Sequence, residues 1–372
     1  MGRNSLVSVA LSLAALFGST SHAGAQSQAE HVVLITLDGA RHQEIFGGLD
    51  LELLRSISGK TPVESHPSYT AFWAPDVEAR RAKLMPYFWG TLMKEGSVAG
   101  NASLGSVARV TNGHHFSYPG YSEILTGEAH DREIDSNDAR QNPYETVLEF
   151  VRRKLSLPRN KVATFASWQI FSGIAEHVPG ATMVNAGLQR SESRDPIGQR
   201  LDELQFDARA PWDLIRHDAF TFDLAMDYLQ RERPRLLYLA LDETDDWAHD
   251  GKYDQVLDSL ARTDRQIQRL WTWLQADPEY RGTTSLVITT DHGRGRTVAD
   301  WRSHGNTIPG ADEIWMAFVT PASARRGEWR GQAPLYQNQI AATIARLFGL
   351  DLAELRPTAG LPIAPLFDLG RQ

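Results

Sequence analysis

The stretch that decides the fold is HVVLITLDG, residues 31–39. Its mainly apolar and β-branched run, 31–37, is typical of a strand that is buried on both faces. Asp38 and Gly39 follow the run directly. Strands buried on both faces are found mainly in parallel sheets covered by helices, so this stretch indicates an α/β fold.

Further apolar runs and stretches of helical periodicity extend this pattern along the chain. The predicted strands are residues 31–37, 161–167, 236–241, 285–290 and 313–319. The predicted helices are residues 80–94, 144–154, 220–230, 255–274 and 337–348. This alternation predicts one doubly wound α/β domain over residues 26–372, with a mostly parallel sheet and helices on both faces. We expect the stretches 49–75 and 188–211 to be irregular surface insertions.

The first 25 residues have the composition of a secretory signal peptide. Arg3 supplies a positive charge, residues 6–17 form a short apolar run, and small residues at 23–25 provide a cleavage site. The run is shorter than the roughly 20 apolar residues that a bilayer span requires. We therefore expect residues 1–25 to be removed and the protein to be periplasmic or secreted. No later segment is a membrane-span candidate.

Composition excludes several classes of function. The 372 residues include no cysteine, which rules out a cysteine nucleophile and a thiolate metal site. The formal net charge of −8 argues against a general nucleic-acid-binding surface. A small anionic substrate remains compatible with this charge, because bound metal ions supply positive charge locally.

Acidic side chains directly follow three of the predicted strands. They are Asp38, the acidic segment 242–249 and the pair Asp291-His292. In open α/β sheets, ligands bind beyond the carboxyl ends of the strands. The sequence therefore predicts a site where these three strand ends meet.

The residue types at these strand ends are those of a metal site. Asp291 and His292 offer one carboxylate and one imidazole, a combination that suits zinc. Asp245 and His249 are four residues apart, so they face the same way on a helical turn. Asp246 and His249, at a spacing of three, are a competing pair. The acids crowd closely together, which is costly unless a cation lies among them.

Ser117 lies in the stretch TNGHHFSYPGY, residues 111–121, at the start of a segment that can be helical as far as Gly127. A serine at a helix start is usually an N-cap. As a nucleophile it requires a base or a metal. The N–H groups of the helix start would then favour a transferring phosphoryl or sulfuryl oxygen. His304 lies on a polar loop and by itself resembles an ordinary surface histidine.

Together these pieces resemble the alkaline phosphatase superfamily, and most closely its nucleotide pyrophosphatase/phosphodiesterase branch. That branch carries, in order, a strand-end Asp, a Thr or Ser nucleophile, Asp-x-x-x-His, Asp-His and a lone His. The resemblance implies a doubly wound α/β fold with two Zn²⁺ ions, Mn²⁺ or Ca²⁺ being less favoured. It implies that one ion is held by Asp245, His249 and His304. It implies that the other is held by Asp38, Asp291, His292 and the oxygen of Ser117.

The residues around Ser117 are also similar to those of this branch. Ser117-Tyr118-Pro119 resembles the family's Thr-Phe-Pro, whereas the Asn-His that follows in the family is Gly120-Tyr121 here. The family has an asparagine about twenty residues after the nucleophile that contacts a non-bridging oxygen. Asn137 is the candidate here, and its alternative is an ordinary turn residue.

The resemblance implies hydrolysis of phosphate esters through a covalent phosphoserine, with diesters favoured over monoesters. A monoesterase requires an additional cation, and four arginines are candidates: Arg41, Arg109, Arg294 and Arg296. A sulfatase requires an arginine where Tyr121 stands. A metal-binding protein without activity is the non-enzyme alternative, and the complete ligand set argues against it. Possible further contributors are the rings of Tyr118, Trp247 and Trp301 as stacking partners, and His114 and His115 as supporting groups.

Overall fold

The computed structural model describes residues 1–2, 29–191, 193–321 and 323–367. The predicted signal peptide, apart from its first two residues, lies outside the described residues. The strands are β1 (His31–Leu37), β2 (Ser97–Ala99), β3 (Ala108–Arg109), β4 (Val162–Ala166), β5 (Met183–Ala186), β6 (Leu236–Leu241), β7 (Thr284–Thr289), β8 (Met316–Val319), β9 (Gly327–Glu328) and β10 (Leu335–Tyr336).

Helices fill most of the connections between these strands. They are α1 (His42–Gly47), α2 (Leu51–Ser58), α3 (Pro67–Phe72), α4 (Val77–Leu84), α5 (Met93–Glu95), α6 (Ser117–Thr126), α7 (Val147–Lys154), α8 (Phe171–Ile174), α9 (Pro196–Asp207), α10 (Asp218–Glu232), α11 (Glu243–His249), α12 (Tyr253–Ala276) and α13 (Gln339–Leu347). A search of the described residues found no helix with the length and apolar character that a bilayer crossing demands.

The main sheet has eight strands in the order β5-β4-β6-β1-β7-β8-β2-β9. The first five strands are mutually parallel, whereas β8 runs antiparallel to β7 and to β2. The prediction of a mostly parallel sheet is thereby confirmed. Strands β3 and β10 form a separate two-stranded parallel sheet.

Strand β1 lies inside this sheet and is buried along its whole length. Alternate side chains serve opposite faces: Val33 and Ile35 join a core with helices α10 and α12, whereas Val32 and Leu34 join a core with α6 and α13. Each fully buried aliphatic side chain of this size contributes about 1.5–3 kcal/mol. Helices therefore cover both faces, which confirms the doubly wound fold.

The two stretches expected to be irregular are instead largely helical. Residues 49–75 contain α2 and α3, and residues 188–211 contain α9. Helix α2 begins because the side chain of Asp50 accepts the N–H groups of Glu52 and Leu53, and its Leu53 and Leu54 are buried. Such short amphipathic helices need only a few apolar residues. The mainly polar composition of these two stretches therefore did not indicate that they are helical.

The predicted helix at 80–94 is interrupted. Helix α4 ends at Leu84, and Met85 has φ −130° and ψ 72°. Pro86 follows Met85, and a residue before proline is displaced from helical conformation. The chain resumes with a π-helical turn, Phe88–Leu92, and then α5.

Helix α6 lies directly against the chain that leaves β7. A Cβ atom on Gly120 would be 2.4 Å from the carbonyl oxygen of Asp291. Only glycine permits this approach, and the approach brings the start of α6 to the carboxyl ends of the central strands.

We expect Gly120→Ala to lower the free energy of unfolding by about 2–3 kcal/mol, because the added methyl group meets backbone that cannot move aside. Gly90→Ala is the matched control, since a Cβ there would have no neighbour within 4 Å. Urea denaturation of both variants measures the difference. Equal stability of the two variants would contradict the close packing of α6.

Candidate active site

The neighbouring strands β6, β1 and β7 end at the same edge of the sheet. Asp38 directly follows β1, Asp291 and His292 follow β7 closely, and Asp245 lies in α11 just after β6. Ser117 is the first residue of α6. The structure thus brings together side chains that are distant in sequence.

His292 is at the centre of the first group. Its Nδ1 is 2.9 Å from the carbonyl oxygen of Gly293, to which an Nδ1–H donates, so that Nε2 keeps its lone pair. That Nε2 is 3.3 Å from Asp38 Oδ1, 3.4 Å from Asp291 Oδ2 and 3.4 Å from Ser117 Oγ. Burial lowers the pKa of His292 to about 4, which leaves the ring neutral near pH 7.

Each of the two carboxylates has one oxygen held by a protein donor. Asp291 Oδ1 accepts the N–H of Gly39 at 3.0 Å, and Asp38 Oδ2 accepts the hydroxyl of Tyr121 at 2.9 Å. The other oxygens, Asp38 Oδ1 and Asp291 Oδ2, are buried without a hydrogen-bond partner. Burial, reinforced by the charge of Asp245, raises the pKa of Asp38 to about 7. Buried acceptors that converge without a donor fit a bound cation.

The second group is formed by Asp245, His249 and His304. His249 Nε2 is 3.1 Å from Asp245 Oδ2 and 3.0 Å from His304 Nε2. His304 Nε2 in turn is 3.9 Å from Asp245 Oδ1. Asp246 instead hydrogen-bonds Asp242, and burial raises the pKa of Asp246 to about 8. Of the two competing aspartates, Asp245 is therefore the one beside the histidines.

Two sets of side chains have ligand atoms close enough together to hold a metal ion, and the second set contains His292 where the resemblance implies His249. The ligand atoms of Asp38, Asp291 and His292 lie within 4.8 Å of one another, and so do those of Asp245, His292 and His304. Imidazole and carboxylate donors in these numbers suit zinc better than calcium, which prefers oxygen ligands alone. His292 belongs to both sets, so the two groups are contiguous.

Gly39 has to be a glycine because the two groups are so close together. Its φ is +54°, and a Cβ there would be 2.6 Å from Asp245 Oδ1 and 2.8 Å from Arg294 Nε. Any side chain would therefore displace Asp245 or Arg294.

The four arginines considered as substrate-binding cations are each bound to an acid. Arg294 is buried and donates to the carboxylate of Asp245, and to its carbonyl oxygen at 3.2 Å. The other pairs are Arg41 with Glu44, Arg109 with Asp312, and Arg296 with Glu313. None of these four guanidinium groups is thus left without an acidic partner.

Ser117 does not cap its own helix. Phe116 is the N-cap residue of α6, and its own side chain makes no hydrogen bond to the helix start. The N–H of Tyr118 donates to Asn137 Oδ1 at 2.9 Å, so Asn137 lies beside Ser117. Few N–H groups of this helix start are therefore free to favour a transferring oxygen. The N–H of Tyr118 is occupied, Pro119 has none, and that of Gly120 donates to Phe116.

Sequence reasoning missed Glu123, a fully buried carboxylate six residues after Ser117. It accepts the backbone N–H and hydroxyl of Thr111 at 2.9 and 2.8 Å. It also accepts the backbone N–H and side-chain amide of Asn112, both at 2.8 Å. The only signal in the sequence was an acid within a buried helix.

Asn112 links the buried Glu123 carboxylate to the group that contains His304. Its side-chain oxygen accepts the N–H of His115 at 2.9 Å, and His115 adopts a left-handed φ of 55°. The carbonyl oxygen of His115 accepts the N–H of Gly305 at 3.0 Å, next to His304. The loops that carry Ser117 and His304 are therefore joined. His115 supports this junction through its backbone, whereas His114 Nε2 contacts the carbonyl oxygen of Asp131 at 2.9 Å.

Two of the three aromatic rings considered for stacking are inaccessible. Tyr118 and Trp301 are fully buried. Trp247 is half-buried and packs edge-on against Trp212, with ring centroids 4.5 Å apart. Stacking of a substrate ring on Tyr118 or Trp301 is thereby excluded in this conformation.

The sequence matches the type I phosphodiesterase/nucleotide pyrophosphatase family over residues 58–326. The protein belongs to this family. The match includes every candidate site residue from Ser117 to His304, whereas Asp38 precedes it. Family membership makes the chain a phosphoester hydrolase and confirms the resemblance inferred from the motifs.

Solved structures of low sequence identity share the fold. Alkaline phosphatase PafA is 10% identical with a TM-score of 0.58, covering 93% of this chain and 100% of that one. Murine ectonucleotide pyrophosphatase/phosphodiesterase 5, as an inactive variant with AMP, is 12% identical with a TM-score of 0.54, covering 91% and 99%. A phosphonate monoester hydrolase from Silicibacter pomeroyi is 13% identical with a TM-score of 0.55, covering 92% and 78%. The search of curated proteins found no match.

We expect Glu123→Gln to lower the free energy of unfolding by about 2–4 kcal/mol, because its amide group must face donors that the carboxylate accepted. Glu52→Gln on α2 is the control, since its side chain is 72% exposed and its pairing with Arg55 is worth little. Chemical denaturation compares the two variants. A loss as small as that of the control would refute the anchoring role of Glu123.

Proposed function

We propose that this protein is an exported two-zinc hydrolase of phosphate diesters that forms a phosphoserine on Ser117. The single observation that carries the proposal is the convergence of three buried atoms, one of which, His292 Nε2, is 3.4 Å from Ser117 Oγ. These atoms are Asp38 Oδ1, Asp291 Oδ2 and His292 Nε2. The proposal includes a domain over residues 26–372 that acts in the periplasm or outside the cell after removal of residues 1–25.

The metal ligands in this proposal are the two groups described above. One zinc is assigned to Asp38, Asp291, His292 and the Ser117 oxygen. The other is assigned to Asp245, His249 and His304. Zinc held there would lower the pKa of the Ser117 hydroxyl and offset the negative charge of the ester oxygens. Three imidazoles among the ligands favour Zn²⁺ over Ca²⁺, and Mn²⁺ is a less favoured substitute.

The residues of the chain then perform two displacements. Ser117 Oγ attacks phosphorus, the bond to the leaving alcohol breaks, and the proton of the hydroxyl ends on that alcohol. Water next cleaves the phosphoserine and restores the hydroxyl. Because Asn137 Oδ1 accepts the N–H of Tyr118, the NH₂ group of Asn137 is available to donate to a non-bridging oxygen. This donation would stabilise the charge that develops in the transition state.

Diesters suit the site better than monoesters. A dianionic monoester requires one more cation, and each of the four candidate arginines is already paired with an acid.

The sulfatase-like alternative has less support. The arginine that it requires would replace Tyr121, which is buried and bound to Asp38. Loss of activity in a purely metal-binding protein is equally disfavoured, since the nucleophile and both ligand groups are present and adjacent. The proposed partner is a small anionic ester, which the bound zinc ions would attract although the chain as a whole is acidic.

Replacing Ser117 by alanine should reduce turnover by about 10³-fold or more while zinc content stays the same, since only the attacking oxygen is lost. Ser122→Ala is the matched control, because its buried hydroxyl in the same helix has no hydrogen-bond partner. Turnover of bis(p-nitrophenyl) phosphate and metal analysis provide the two readouts. Unchanged turnover in the Ser117 variant would remove it as the nucleophile.

A panel of p-nitrophenyl esters tests the substrate class. We expect kcat/KM to be highest for the phosphate diester, lower for the monoester and lowest for the sulfate. A chelator should abolish turnover, and added Zn²⁺ should restore it. Preference for the monoester would show that a cation other than the four arginines binds the third oxygen.

A further inference from the structure

Tyr121 is a buried tyrosine of α6 whose hydroxyl makes a hydrogen bond in addition to the packing of its ring. Its hydroxyl donates to Asp38 Oδ2 at 2.9 Å. Its ring packs edge-on against Phe171, with centroids 4.6 Å apart. Burial raises the pKa of Tyr121 well above 10, so the hydroxyl is a neutral donor at physiological pH.

This contact has a counterpart on the other carboxylate of the first group. Gly39 donates a backbone N–H to Asp291 Oδ1, as Tyr121 donates a hydroxyl to Asp38 Oδ2. In both cases the remaining oxygen has no donor and lies within 3.4 Å of His292 Nε2. The two donors thus determine which oxygen of each carboxylate faces the shared space.

We propose that Tyr121 is a positioning residue that holds Asp38 as a one-oxygen metal ligand. The proposal rests on zinc binding at this group, as proposed above. Without the hydroxyl, Asp38 Oδ2 is left buried and unpaired, so the carboxylate turns or offers both oxygens. Hydrogen bonds that orient a metal ligand typically change metal affinity by about 10- to 100-fold.

The test is Tyr121→Phe, which removes one oxygen and keeps the ring that packs on Phe171. Zinc affinity is measured without substrate, by competition with a chromophoric chelator. Tyr118→Phe is the matched control: this tyrosine is also fully buried in α6, and its hydroxyl gives one 2.9 Å bond to a backbone carbonyl. We expect about 10- to 100-fold weaker binding of one zinc in the Tyr121 variant and unchanged affinity in the Tyr118 variant.

A second readout is the visible absorption spectrum of the Co²⁺-loaded protein, which responds to ligand geometry. We expect the spectrum to change in Tyr121→Phe and not in Tyr118→Phe. Asp38→Asn completes a double-mutant cycle, in which adding Tyr121→Phe should weaken zinc binding little further.

The outcomes separate the two proposals. Failure of the wild-type protein to bind zinc overturns the proposed function and this inference together. Zinc binding by the wild type, with the same affinity and Co²⁺ spectrum in Tyr121→Phe, overturns the role of Tyr121 alone. Equal losses in Tyr121→Phe and Tyr118→Phe assign the effect to general weakening of α6 and also overturn it.

Discussion

The site depends on one constraint: two buried carboxylate oxygens have to be held close together beside a neutral imidazole. Asp38 Oδ1 and Asp291 Oδ2 have lost water and have gained no donor. In that state the pair repels itself, and the surrounding protein has to hold the oxygens together until a cation compensates them. The parallel order β6-β1-β7, the glycine contact of α6 and the donors on the opposite oxygens all perform this task.

Two further segments complete the site, and a buried charged side chain holds each of them in place. Glu123 fixes the segment before Ser117 through four donor groups. Arg294 fixes Asp245 and also bonds the carbonyl oxygen of Arg302, close to His304. A buried charge that is held by several partners is rigid, because releasing one bond leaves an unpaired polar group. The reacting groups are consequently held by the protein interior rather than by the exposed loop surface.

Much of this arrangement could be predicted from sequence, because it depends on local patterns. Apolar runs predicted the central strands, and the strand ends predicted where Asp38 and Asp291 would meet. Long-range pairing was beyond reach: no spacing indicates that Glu123 accepts from Asn112, or that Arg294 binds Asp245. The short helices within 49–75 and 188–211 were also missed, since a single cap and a few buried residues stabilise them.

The start of α6 contributes few free N–H groups, because the N–H of Tyr118 is bound to Asn137 and Pro119 has none. In the proposed function, recognition of the ester oxygens therefore falls to a side chain from the exposed segment that contains Asn137. Surface segments tolerate sequence change far better than core helices do. The fold thus places the proposed nucleophile on a buried helix and the proposed oxygen-binding side chain on an exposed segment, so that the exposed segment can change without disturbing the buried helix.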